Sequence, residues 1–233
     1  MTNISYFSFK RVWEYFPQLL SHLPTTLVIV FFALFFGFLL GILIAVVRLF
    51  KVPVLNQLSV VYTSFVRGVP INIQLFIVYF GLPLILSPLF LPLGIDLNRV
   101  GPIYFVIATY AFSTAAFISV IISASIWGID KGQTEAALSI GMTRPQLFRR
   151  IIAPQALHIA LPEFGNTTVS TLKNTSLAFT VGVVDMVGVI SAIAARTKHS
   201  LEGYVGAAII YFVLCTLLER GFSFVEKKYR VFK

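Results

Sequence analysis

The residues best suited to handle a small polar molecule sit together in Leu172-Lys173-Asn174-Thr175-Ser176-Leu177. Lys173 could meet a carboxylate, while the amide of Asn174 and the hydroxyls of Thr175 and Ser176 could exchange hydrogen bonds with a zwitterion. The competing reading is structural: Lys173 pairs with Glu163 or Asp185, or carries its ammonium up to an interface. Asn72 and Gln74 offer a second polar pair, equally able to bond a neighbouring helix. Other chemistry lacks its parts. The three histidines, His22, His158 and His199, stand near the ends of apolar runs, where none can activate a buried serine, which counts against an intramembrane enzyme. No glycine opens a G-x-x-x-x-G-K-[ST] phosphate loop, so the chain is expected not to bind ATP itself; no metal or other cofactor is expected in this chain either.

The elements that must position these residues are apolar. Of 233 residues, 58% are hydrophobic and 12% charged, and the mean hydropathy is +0.89. A soluble domain carries roughly a quarter charged residues, so disorder, a disulfide scaffold and an ordinary cytosolic enzyme are set aside in favour of an integral membrane protein. The net charge of +9 comes from basic residues placed between apolar runs, where topology signals belong. It does not gather on one aromatic-laced face, as nucleic-acid binding would require. A lone Cys215 allows no internal disulfide.

Three charge-free runs, Leu23 to Val47, Gly68 to Ile95 and Val100 to Ile129, each exceed the roughly 20 residues that cross about 30 Å of hydrocarbon. A further run from Gly203 to Leu218 is extended by Phe222, Phe224 and Val225. Between Ile159 and Ile193 the chain is apolar on average yet carries Glu163, Asn166, Lys173, Asn174 and Asp185. A charge at the centre of a lipid-facing helix costs about 2.5–3.5 kcal/mol, so this crossing is expected to be shielded by other helices or by a second copy of the chain.

The expected architecture is therefore an all-α polytopic membrane protein, a single domain over residues 1–233 with about five transmembrane helices. The first crossing is too long, and lacks the small-residue cleavage site, for a removed signal peptide. With the N-terminus outside and the C-terminus inside, the inner segments hold Arg48, Lys51, Lys131, Arg144, Arg149, Arg150, Arg220, Lys227, Lys228, Arg230 and Lys233. The outer ones hold Lys10, Arg11, Arg99, Arg196 and Lys198, and the excess of basic residues inside selects this orientation. Five crossings without a visible internal repeat count against a secondary transporter.

The inner loop from Gly128 to His158 has a helical pattern of its own. Asp130 and Gln133 have capping-box spacing, which predicts a helix through Glu135, Ala136, Ala137, Leu138 and Ile140 that stops at Gly141. Thr143 can cap a second short helix with Pro145 in its first turn, continuing through Ile152 until Pro154 breaks it. Leu147, Phe148, Ile151 and Ile152 share one face while Arg149 and Arg150 point elsewhere. Two such helices suit insertion into a groove of another protein, or equally an interfacial position among lipid headgroups.

The order Glu135-Ala136-Ala137, Gly141, Ile151 and Ala153-Pro154 resembles the EAA loop of ABC importer permeases, with Ala153 where Leu is usual. Further segments resemble the polar amino acid branch of that family: Phe65-Val66-Arg67-Gly68-Val69-Pro70, Gln74-Leu75-Phe76, Tyr79-Phe80-Gly81-Leu82-Pro83, Asp130-Lys131-Gly132-Gln133, Ser139-Ile140-Gly141-Met142 and the Leu172 to Leu177 stretch. The wording from Asp130 to Met142, with Val52-Pro53-Val54-Leu55, is similar to cystine permeases; arginine, glutamine and histidine importers are near relatives.

The resemblance implies a permease subunit that pairs with a second copy or a homologue in the bacterial inner membrane. It implies an ATPase subunit below, which binds the ATP, and an extracytoplasmic amino-acid-binding protein that delivers the substrate. Glu135, Ala136, Ala137, Gly141, Arg144, Arg149, Arg150 and Pro154 would form the element that docks on the ATPase; Asn72, Gln74, Lys173, Asn174, Thr175 and Ser176 are candidates for the pathway. Two departures from the family pattern touch that pathway: Asn174 stands where relatives often have Asp, and Val120 and Ser123 stand where many have Glu and Arg.

Overall fold

The computed structural model describes residues 7–229, and among these the regular structure is entirely helical. Arg230 and Lys233, counted above among the inner basic residues, lie outside the described residues. The helices are α1 (Phe9–Leu49), α2 (Leu55–Gly68), α3 (Ile71–Phe76), α4 (Leu82–Phe90), α5 (Pro102–Trp127), α6 (Lys131–Ser139), α7 (Arg144–Leu147), α8 (Ala153–Asn174), α9 (Gly188–Thr197) and α10 (Leu201–Tyr229). Among the described residues, four helical stretches are long and apolar enough to cross a membrane: α1, Ile71–Leu93, α5 and Leu201–Lys228. The 22 residues of α8 give it comparable length, but its polar content keeps it out of that set.

Helix α1 starts fourteen residues before the charge-free run that announced it. Val12, Tyr15 and Leu19 recur at helical spacing and are buried, Leu19 in one cluster with Met186, Ile190, Ala207 and Ile210, so packing carries the helix back past Lys10 and Arg11 toward the N-terminus. Farther along, Gly37 and Gly41 let α1 press against α5. A Cβ on Gly37 would sit 2.6 Å from Thr114 Cβ, and one on Gly41 2.7 Å from Ile118 Cβ. Small residues four apart give this close crossing where lipid offers no hydrophobic drive between helices. The other face of α1 exposes Phe31, Phe35, Leu39 and Leu43 in a stripe suited to acyl chains.

The second crossing is composite. Helix α2, not anticipated as a separate element, ends at Gly68; a turn through Val69 and Pro70 starts α3, and a π-helical turn over Ile77–Gly81 joins α3 to α4. A second π-helical turn, Phe148–Ile152, joins α7 to α8. Each ends two residues before a proline, Pro83 or Pro154. A proline has no N–H and its ring crowds the carbonyl four residues back, and a wider turn relieves both demands without ending the helix. Pro154 therefore does not break the helix, contrary to expectation; it stands in the first turn of α8, which continues directly from the π-helical turn. Between α4 and α5, Asp96 Oδ1 accepts the Asn98 backbone N–H at 3.0 Å, and that bond holds the half-buried carboxyl below its usual range.

The polar stretch after Ile159 is not one helix. Following α8, a 3₁₀ run over Thr175–Val181 ends at Gly182 (φ +87°), and Asp185 Oδ1 accepts the N–H groups of Val187 and Gly188 at 3.2 and 2.8 Å at the start of α9. Asp185 is fully buried in this turn. The core joins Ile29 and Ala33 of α1 to Leu75, Val106, Tyr110 and Ala178, while Val30, Val169, Leu172 and Cys215 tie α1, α8 and α10 together.

Candidate functional site

The inner loop is a folded unit. Asp130 Oδ1 accepts the Gly132 N–H at 2.6 Å and opens α6 as an aspartate N-cap. Gln133 does not complete the expected capping box; its Oε1 accepts from Gln155 Nε2 at 2.6 Å, across to the first turn of α8. Helix α6 closes in a Schellman turn: the Met142 N–H donates to the Ala137 carbonyl at 3.1 Å and the Gly141 N–H to that of Leu138 at 3.0 Å. Gly141 takes φ +82°, the left-handed region that disfavours any residue with a Cβ. The Thr143 N–H donates to Gln146 Oε1 at 2.9 Å and starts α7, with Pro145 in its first turn as expected.

This bend turns Ala137 and Leu147 inward, 3% and 5% exposed, and presents Glu135, Ala136 and Leu138 outward, with Ile140 80% exposed at the tip. Arg144, Arg149 and Arg150 are exposed around it, and Pro154 is half-buried behind it. The loop thus presents an apolar knob rimmed by cations.

The pathway candidates do not stay together. Asn174 lines a polar groove of about 220 Å³ between α5 and α8, with Ser113, Thr114, Phe117, Glu163, Asn166, Thr167, Ser170 and Thr171. Thr114 and Thr171 hydroxyls meet across it at 3.3 Å, and the Asn174 carbonyl accepts from Tyr110 Oη at 2.7 Å. Lys173, one residue earlier, is exposed outside this groove, and none of the ion pairs among the described residues involves it. Thr175 is fully buried, donating to the Leu172 carbonyl at 2.7 Å and lying 3.1 Å from Tyr211 Oη. Ser176 Oγ donates to the Lys173 carbonyl at 2.7 Å. Asn72 is half-buried on α3. Gln74 is buried, and its Nε2 donates to the Val66 and Val69 carbonyls, both at 2.7 Å, which pins α3 to the end of α2.

What sequence reasoning missed is the rest of the stripe that leads to Asn174: Glu163, Asn166, Thr167, Ser170 and Thr171. Its signal was present: these polar residues recur every three or four positions along one face of a helix.

Residues 37–231 match the family described as binding-protein-dependent transport system inner membrane component, and the chain belongs to that family. The match takes in both the inner loop and the groove. The chain is 45% identical over 222 residues to the L-cystine transport system permease protein TcyL of Bacillus subtilis (strain 168), covering 95% of this chain and 91% of that protein. It is 39% identical to the probable amino-acid permease protein YxeN of the same organism, covering 87% of this chain and 88% of that one. Among solved structures it is similar to an amino acid ABC transporter crystallised with histidines, with a TM-score of 0.82 at 28% identity, covering 95% of this chain and 99% of the other. The all-helical permease fold anticipated from the sequence is thus the fold found.

Proposed function

We propose that this chain forms the transmembrane pathway of an ATP-driven amino acid importer in the bacterial inner membrane, with cystine as its substrate. The likeness to TcyL over nearly the whole of both chains supports the substrate. The single observation that carries the coupling role is the knob at Gly141. Its left-handed turn thrusts Ile140 out of a membrane protein's loop, where burial against another protein would recover the apolar surface. In this reading an ATPase subunit receives Glu135, Ala136 and the Ile140 tip, while Arg144, Arg149 and Arg150 meet acidic groups at its rim. Pro154 and the π-helical turn before it pass the motion to α8.

The N-terminus lies outside and the C-terminus inside, which puts the loop on the side of the ATPase. Two copies of the chain, or this chain and a homologue, close the polar face of α8 away from lipid, and a binding protein delivers the amino acid from outside. Asn174 and the hydroxyls of the groove line the route. Lys173, Asn72 and Ser176 are approached from its edges, and Thr175 and Gln74 hold the lining helices in place.

The test is uptake of labelled cystine, arginine, glutamine and histidine into proteoliposomes holding the complex with its ATPase and binding protein. ATP-dependent accumulation of cystine is expected. Accumulation of one of the other three instead would replace the substrate, and accumulation of none would overturn the importer reading.

A further inference from the structure

Glu163 is the one ionisable side chain lining the polar groove, and no ion pair among the described residues gives it a counter-charge. It is the eleventh residue of the 22-residue α8, about 15 Å by helical rise from either end. It is exposed on the groove side, absent from every ion pair among the described residues, and its nearest partner is Asn166 Nδ2 at 3.5 Å. A carboxylate at this depth is costly in lipid and ordinarily faces a wet cavity or an opposite charge. Around it stand hydroxyls that donate or accept equally well, and the Phe117 wall, over which Arg67 lies 5.7 Å from the ring centre. The groove lining thus carries its one charge, a negative one, at Glu163 midway along α8, with neutral donors toward Asn174, about 16 Å along the helix. That polarity repels an anion and suits a molecule carrying an ammonium group beside groups that need hydrogen bonds.

We infer that Glu163 receives an α-ammonium group of the transported amino acid and sets the specificity of the pathway for amines over otherwise identical acids. The inference rests on the importer reading above. The length of the groove accepts a two-headed amino acid lengthwise, one ammonium on Glu163 and the far carboxylate toward Asn174.

The assembled permease–ATPase complex in nanodiscs, without the binding protein, is titrated with labelled cystine and with dithiodipropionate, which keeps the disulfide and both carboxylates but lacks the amines. The wild type is expected to favour cystine by at least about tenfold, the size of a lost charge-assisted hydrogen bond. Glu163→Gln is expected to lose that preference with dithiodipropionate binding unchanged, and Glu163→Asp to recover part of it. Equal cystine binding by wild type and Glu163→Gln overturns the inference. So does loss of both ligands in Glu163→Gln, which would mark a role in assembly, and so does absence of binding by a wild type that imports cystine. Uptake measured alongside separates the two claims: a wild type that imports cystine with Glu163→Gln still discriminating defeats only the assignment of Glu163. A wild type that imports no amino acid defeats the importer reading and this inference with it.

Discussion

Gln155 Nε2 donates to Gln133 Oε1 at 2.6 Å and to the Ile151 carbonyl at 3.0 Å. One side chain thereby joins the first turn of α6, the π-helical turn and the first turn of α8, the helix that carries the polar groove. In the coupling proposed above, this bond is the side-chain link by which a displacement of α6 would reach the root of α8.

Gln155→Ala is therefore expected to lower substrate-stimulated ATP hydrolysis several-fold in the reconstituted complex. The pair is exposed, so its loss should change stability by only about 0.5 kcal/mol, within the range of surface substitutions. Thermal unfolding of the purified protein and the hydrolysis rate, measured on the same preparation, check the two halves of this statement.

The crossing of α1 and α5 at Gly37 and Gly41 leaves no room for a side chain. Gly37→Leu is expected to cost about 1–3 kcal/mol by overpacking against Thr114. A reduced unfolding temperature in detergent, with a smaller loss for Gly37→Ala, is the measurement; an unchanged temperature for Gly37→Leu would show that the helices separate freely.

Glu202, fully buried at the start of α10, accepts from the Ser8 N–H at 3.2 Å and from Arg11 Nη1 at 3.0 Å, with His199 Nδ1 3.8 Å away. Removing one member of such a cluster strands the others. Arg11→Ala is expected to loosen the start of α1 and to speed proteolysis of the chain near residue 11, with the fragment pattern read by mass spectrometry.

The membrane helices were legible because a charge-free run longer than a bilayer has few alternatives. Their outer limits were not, since Val12, Tyr15 and Leu19 extend α1 through tertiary contacts that charge counting ignores. Gly141 and Thr143 were read correctly as stop and start, because a left-handed residue and a capping box between Thr143 and Gln146 act locally. Pro154 was read as a break, since a local rule does not foresee a π-helical turn that absorbs the missing N–H. In the groove, reading Lys173 to Ser176 as neighbours in sequence joined residues that a helix sends in different directions. Reading Glu163, Asn166, Ser170 and Asn174 by helical period would have assembled the lining.

In the function proposed above, the bend at Gly141 couples this chain to an ATPase. Gly141 holds φ +82°, where a side chain costs about 1–2 kcal/mol, and a long cation there would also lie beside the Ile140 tip. The decisive measurement is ATP hydrolysis by proteoliposomes containing the chain and its ATPase, with and without the cystine-loaded binding protein. The wild type should be stimulated several-fold and Gly141→Arg should not respond, although it inserts in the membrane in equal amount. Stimulation of Gly141→Arg to the wild-type level would contradict the account.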